Sequence, residues 1–235
     1  ARSEDFDILE GLFKLGKLAK SKSYEKVLEQ PLAEFLELHP QDVAALDMLV
    51  NKKIPLIMET NRATDILHLI DLKNKYKINM VLAGIEDAPL VLKSLVESNI
   101  PVIINPMDNI PDSFDELSSS LKLASVLNKA GVKIVFDSDR SHNYHLIRQG
   151  AGNAVAYGMD YNDAISGLSQ NVADVFGLKG RGSIQQGFAA DILVWEFDPL
   201  EPSSIPIHIY INGKEVDLTT RSSRLKDRYI NKLSQ

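Results

Sequence analysis

Phe6, Leu9, Leu12, Phe13, Leu15 and Leu18 recur at the spacing of one helix face, and a second such run extends around Val27 to Leu38. The first fifty residues therefore predict helices and no strand. Beyond them the rhythm changes to short apolar, β-branched runs at Ile54 to Met58, Asn79 to Ala83, Pro101 to Ile104 and Lys133 to Phe136, each bounded by turn or polar residues. Helical patterns fill the intervals at Arg62 to Tyr76, Ala88 to Ser98 and Phe114 to Ala130. A strand-helix unit repeating about every 20 to 30 residues predicts a parallel sheet. The strands are continuously apolar, as expected when both faces are covered.

Further along, Gly177, Gly180, Gly182 and Gly187 punctuate the chain before Ile192-Leu193-Val194. They predict a helix end, a tight turn and a strand, with a buried Asp191 tying down turn amides. A phosphate loop is not implied, because the Gly-Lys-Ser/Thr ending and the following helix are missing. A last helix is expected from Ser222 to Leu233, packed back on the body of the protein.

Composition narrows the picture. With 235 residues and 44% hydrophobic content, the chain can build one large domain or one and a half. A net charge of −6 without a dense Lys/Arg cluster argues against a nucleic-acid partner. The absence of cysteine excludes disulfides and thiolate metal sites, and suits the cytoplasm and the periplasm equally. No apolar run approaches the roughly 20 residues that span a bilayer, and Ala1 to Asp5 is no signal peptide. A soluble protein without a membrane partner is expected, its compartment left open.

The order of the C-terminal features resembles the amidohydrolase superfamily, in particular its imidazolonepropionase-like branch. Members tend to end in an alanine-rich helix, a GSIxxGxxADLVV turn and strand, a DPL step and an xxNGKxV hairpin. The counterparts here are Asn162 to Phe176, Gly182 to Val194, Asp198-Pro199-Leu200, and Tyr210 to Val216. The resemblance implies a barrel of alternating strands and helices, and four units are too few to close one of eight. The implied fold class is α/β, a partial TIM barrel of about strands 5–8 plus the C-terminal part of a small β-sandwich domain. Residues 1–50 would form a helical connection, 51–182 the C-terminal half of the barrel, 183–218 the β-domain part, and 219–235 the final helix. The chain is then expected to be a fragment, and its open strand edges predict a homo-oligomer.

Functional groups of parallel α/β folds collect where strands end. Those positions hold Glu59 to Arg62, Gly84 to Asp87, Asn105 to Asp108, and Asp137 to His142. Asp137 is similar to the family's strand-eight aspartate, which takes a proton from a metal-activated water and can also ligate the metal; otherwise it caps the following loop. The segment from Ile57 to Ile66 is similar to the strand-five pattern, with Glu59 where the family has a metal-binding histidine. A glutamate there suits zinc or a harder ion, and equally a dead site. Gly84 stands where many members place another histidine and can ligate nothing through a side chain. Asn61, Arg62, Asn105 and His142 are candidate substrate-binding residues, the first two for an anionic group, although Arg62 could equally pair with Asp65. His39, His68 and His208 read as surface or packing residues, whereas His142 and His145 lie nearer the expected mouth. Arg148, Asn153 and Tyr157 read as structural.

The resemblance thus implies metal-dependent hydrolysis of a C–N bond, in an amide or cyclic amide of a small-molecule substrate, by a longer parent protein. A divalent metal, zinc first, is the implied cofactor, and the fragment alone is expected to be inactive. The alternative is a catalytically silent relative serving as a binding or scaffold subunit, favoured by Glu59 and Gly84. A stand-alone, doubly wound ligand-binding domain is a third reading, opposed by the C-terminal hairpin signature.

Overall fold

The structure is a computed structural model describing residues 2–111, 113–138 and 144–233. Four helices come first: α1 (Arg2–Ala19), α2 (Tyr24–Leu28), α3 (Pro31–Phe35) and α4 (Pro40–Val50). Local chemistry sets their ends. Glu4 and Asp5 sit in the first turn of α1, where carboxylates oppose the helix dipole. Pro40 opens α4, and Asp42 accepts the backbone N–H of His39 at 2.8 Å.

Then follow β1 (Leu56–Thr60), α5 (Ala63–Tyr76), β2 (Met80–Gly84), α6 (Leu92–Ser98), β3 (Val102–Ile104), α7 (Leu123–Lys129) and β4 (Ile134–Phe136). The strands form one parallel sheet in the order β1-β2-β3-β4, as the alternating pattern predicts. Leu82, Val102, Ile104 and Ile134, each 2% exposed or less, face the covering helices within one continuous core that also takes in Ile66 and Leu69 of α5. The other face is not fully covered: Ile57 is 48% exposed. Continuous apolarity predicts cover on both faces, and at β1 only one is buried.

The N-terminal helices are part of this body. Phe13 of α1 is fully buried in the same core, its ring 5.0 Å from that of Tyr76 at the end of α5. Glu10 of α1 reinforces the junction, meeting Lys75 at 2.8 Å and the Tyr76 hydroxyl at 3.1 Å. A smaller core of Leu15, Val27, Ala33 and Val43 holds α1 to α4 together.

After β4 come α8 (Ile147–Ala156), α9 (Tyr161–Gly167) and α10 (Gln170–Phe176), then an antiparallel sheet of β5 (Ile192–Trp195), β6 (Pro206–Ile211) and β7 (Lys214–Glu215), and finally α11 (Arg221–Leu233). The expected hairpin turns at Asn212-Gly213, both at positive φ. Asp191 ties the turns together, accepting from Asn212 N–H at 2.8 Å and pairing with Arg181. It does so from the surface and not from a buried position.

Three helical expectations need correction. The pattern from Phe114 to Ala130 yields a helix only from Leu123, because upstream serines bond locally: Ser119 Oγ donates to Glu116 O at 2.8 Å, and Ser120 Oγ accepts from Lys122 N–H at 3.2 Å. The helix expected from Asn162 to Phe176 is broken at Leu168-Ser169. There Gly167 lets α9 approach β4, its Cβ position lying 3.0 Å from the Phe136 ring. Finally, nearly all described side chains of α11 are exposed, Tyr229 at 57%, so these do not pack back on the body. Its polar residues greatly outnumber the apolar ones, leaving little area to bury.

Leu82→Ala, at the centre of the sheet, is expected to cost about 2–5 kcal/mol, read from the midpoint of urea unfolding. Hydrogen bonds from Lys75, then Lys14 and Tyr76, lower the pKa of Glu10 to about 2. Its contribution is therefore complete above the ordinary value of 4.5 and is lost as pH falls towards 2. The melting-temperature difference between wild type and Glu10→Gln should be largest above that value and close as pH drops through the window.

Candidate functional site

Strand register decides which side chains meet. Glu59, Ala83, Ile103 and Val135 form one row across the sheet. Side chains alternate along a strand, so residues two positions further on stand above that row on the same face. Those residues are Asn61, Asn105 and Asp137. Accordingly Glu59, Asn61, Asn105 and Asp137 line a single cavity of about 310 Å³ at the carboxyl ends of the strands. Glu59 lies within β1, which runs on to Thr60, and not beyond its end as the hydrophobic run suggests.

The exception to the rule of two is β2. Gly84 and Ile85 both take the left-handed conformation, at φ 78° and 66°. For a β-branched residue this costs roughly 1–3 kcal/mol. Ile85 is turned into the core at 0% exposure, and the next residue, Glu86, lines the cavity instead, only 8% exposed. Backbone bonds hold the turn, from Ile85 N–H to Thr60 O at 2.8 Å and from Asp87 N–H to Asn61 O at 2.9 Å. Asp87 adds a side-chain bond from the first amide of α5, Ala63 N–H, at 3.2 Å.

Between β3 and α7 the described residues 105–111 and 113–122 cross the strand ends. Glu116 Oε1 accepts from Asn61 Nδ2 at 3.2 Å and from Ser113 Oγ at 3.1 Å, while Ser118 Oγ donates to Asp87. Asp108, Glu116 and Ser119 of this segment complete the cavity wall. Its described lining thus carries five carboxylates, from Glu59, Glu86, Asp108, Glu116 and Asp137, and no lysine, arginine or histidine. Such a wall presents a negative field.

Asp137 and Glu59 are both exposed, ready for solvent or ligand. Asp137 Oδ1 accepts the N–H of Ser138 at 2.7 Å, and its own N–H donates to Ile104 O at 2.9 Å, which fixes its backbone against β3. The carboxamide of Asn105 is engaged in its own turn, taking Met107 N–H at 3.2 Å and giving to Asp108 at 2.9 Å. Arg62 stands apart. It lines a second cavity, of about 670 Å³ between α1 and β1, and lies 3.8 Å from Asp115. Its partner is thus Asp115, brought by the crossing segment, in place of the nearby Asp65 that sequence proximity suggests. Asn61 turns its amide nitrogen to Glu116, away from Arg62 and its partner Asp115. His142 lies outside the described residues. The His68 ring packs at a tilt against Phe6 and His208 meets Glu215, as surface or packing residues do.

The donor set does not complete a metal site. Among the described residues no three His, Cys, Asp or Glu side chains converge as metal ligands. Gly84 adds none, and its side-chain space is already taken, since a Cβ there would lie 2.2 Å from Asn61 Oδ1. Glu86 and Asp108 stand among the strand-end positions read from the sequence but without an assigned role, and Glu116 is not among them. Only the left-handed step after Gly84 turns Glu86 inward, and Glu116 rides on a segment whose path no periodicity describes.

A family model described as Amidohydrolase family matches residues 39–216, more than half of the chain. Among solved structures, an amidohydrolase from Thermotoga maritima MSB8 is similar, with a TM-score of 0.77 and 28% identity over 92% of this chain and 56% of its own. Amidohydrolase tasK of Hapsidospora irregularis is 27% identical over 53% of this chain, and an imidazolonepropionase of Pseudoalteromonas atlantica 33% identical over 26%. The chain spans only 13% and 16% of the lengths of these two relatives.

Gly84→Ala would both push on Asn61 and force a side chain into a left-handed conformation. A loss of about 1–3 kcal/mol is expected in chemical unfolding.

Proposed function

The chain belongs to the amidohydrolase family, and on that footing we propose that its parent protein hydrolyses a C–N bond in a small amide or cyclic amide, with the cavity at the strand ends as part of the active site. The four strands serve in this reading as the later strands of a TIM barrel. The observation that carries it is the shared cavity of Glu59 and Asp137, remote in sequence and set on one sheet face by the strand register.

Asp137 is the general base. Its carboxylate takes a proton from water as the water oxygen bonds to the carbonyl carbon, and the proton then passes to the leaving nitrogen as the C–N bond breaks. The products are a carboxylate and an amine. Glu59 orients the water or the substrate from the opposite edge of the sheet, while Asn105 and His142 are assigned to substrate contacts. Members of the family generally use a divalent metal. Two strand-end carboxylates do not hold one alone, so further ligands must come from the rest of the parent protein, and the chain by itself is expected to show no robust hydrolysis.

A second reading has support from Asn61 and Gly84. With the side-chain space at the end of β2 filled by a carboxamide, a catalytically silent relative that binds without turnover is the competing function. Asp137→Asn in the full-length protein separates the two. Assayed by liquid chromatography of the ring-opened acids formed from a panel of lactams and cyclic imides, the variant should lose about 10²–10⁴-fold in kcat while melting within a few degrees of wild type. A wild-type protein inert on the panel, with or without added zinc or manganese, would favour the silent reading.

A further inference from the structure

The Asn61 carboxamide carries more structure than its place at the cavity rim requires. Nδ2 donates to Glu116 Oε1 at 3.2 Å. That bond fixes the amide orientation, because the flipped amide would set oxygen against carboxylate. Oδ1 therefore lies over Gly84, 2.2 Å from where a Cβ would stand, in a niche that only glycine leaves open. There it is shut off from solvent and has no hydrogen-bond partner among the described residues. Nothing about the turn itself demands this, since the backbone of Asn61 is already held by Asp87 N–H.

Glu116 sits on the long connection between β3 and α7, which also delivers Asp108 and Ser119 to the cavity. Of its apolar side chains Pro106 is buried, while Ile110, Phe114 and Leu117 are 73%, 92% and 68% exposed. Beyond Pro106 little apolar burial holds the segment down, and polar contacts do it instead: Asn61 to Glu116, Ser118 to Asp87 and Arg62 to Asp115.

We propose that Asn61 is a positioning residue that latches the connection between β3 and α7 across the strand ends by holding Glu116, and that its buried, donorless oxygen keeps the latch releasable. The inference rests on the same cavity being the active site. In the seated state the Asn61–Glu116 bond offsets the lost hydration of Oδ1, and when the segment lifts, both ends of the amide regain water. The seated segment places Glu116 in one cavity with Glu59 and Asp137; the lifted one widens the way in for substrate.

Hydrogen exchange on the chain without substrate tests this. The reporters are the Ser119 amide, bonded to Glu116 O within the segment, and the Leu82 amide in β2, bonded to Pro101 O. Asn61→Leu should speed exchange at Ser119 about tenfold and leave Leu82 unchanged. Glu116→Leu, which also removes the Ser113 bond, should do at least as much, the double variant no more than Glu116→Leu alone, and Glu116→Gln, which keeps an acceptor oxygen, close to nothing. The latch is refuted if Ser119 exchange ignores Asn61→Leu, if the two effects add, or if exchange rises equally in β2, as a purely structural role would have it. Because no turnover is involved, a working latch beside an Asp137→Asn variant with undiminished hydrolysis would fault the catalytic reading and not this one.

Discussion

Parallel strands cannot be joined by tight turns, and each must be carried back by a crossover of a dozen residues or more before the next can pair. That constraint organises this molecule. It places the carboxyl ends of β1 to β4 on one side and sends α5, α6 and α7 over one face of the sheet. It also turns residues far apart in the chain into neighbours along a row. The core of Leu82, Val102, Ile104 and Ile134 rewards the arrangement, and the strand-end cavity is its by-product.

What the sheet leaves exposed is handled by polar contacts in place of packing. Asp87 and Glu116 each join two chain segments at the strand ends, and Asn61 meets both of them, one through its backbone and one through its side chain. The strained step at Gly84-Ile85 belongs to the same region, where it buries an isoleucine on one side and turns a carboxylate to the other. Local strain of this kind persists only where its surroundings over-determine it. At the opposite end of the body, Glu10 and Phe13 join the N-terminal helices to α5, so that those helices share the main core.

Glu59 and Asp137 were legible as candidates because each sits at the end of an unmistakable apolar run, where a carboxylate is out of keeping with a buried strand. Arg62 was legible only as a cation at a helix start, and its partner Asp115 came from a connection that sequence periodicity misreads as helix. Serine-rich stretches such as 118–120 spoil such readings, since their hydroxyls offer the backbone alternatives that a hydrophobic count does not register. The amphipathic pattern of α11 was readable too, but its contacts were not, because a helical pattern does not say whether anything is there to receive it.

The amino-acid sequence alone determined the alternation of strands and helices, the parallel sheet, the Asn-Gly hairpin and the family motifs of the C-terminal third. These depend on local periodicity and turn chemistry, written within a dozen residues at a time. Tertiary structure alone decided that Asn61, Asn105 and Asp137 share a face, that Glu86 replaces Ile85 at the cavity, that Arg62 turns away, and that Gly84 makes room for an amide. Each of these depends on register between strands or on the path of a long connection, and such distances in space leave no periodic trace in the chain.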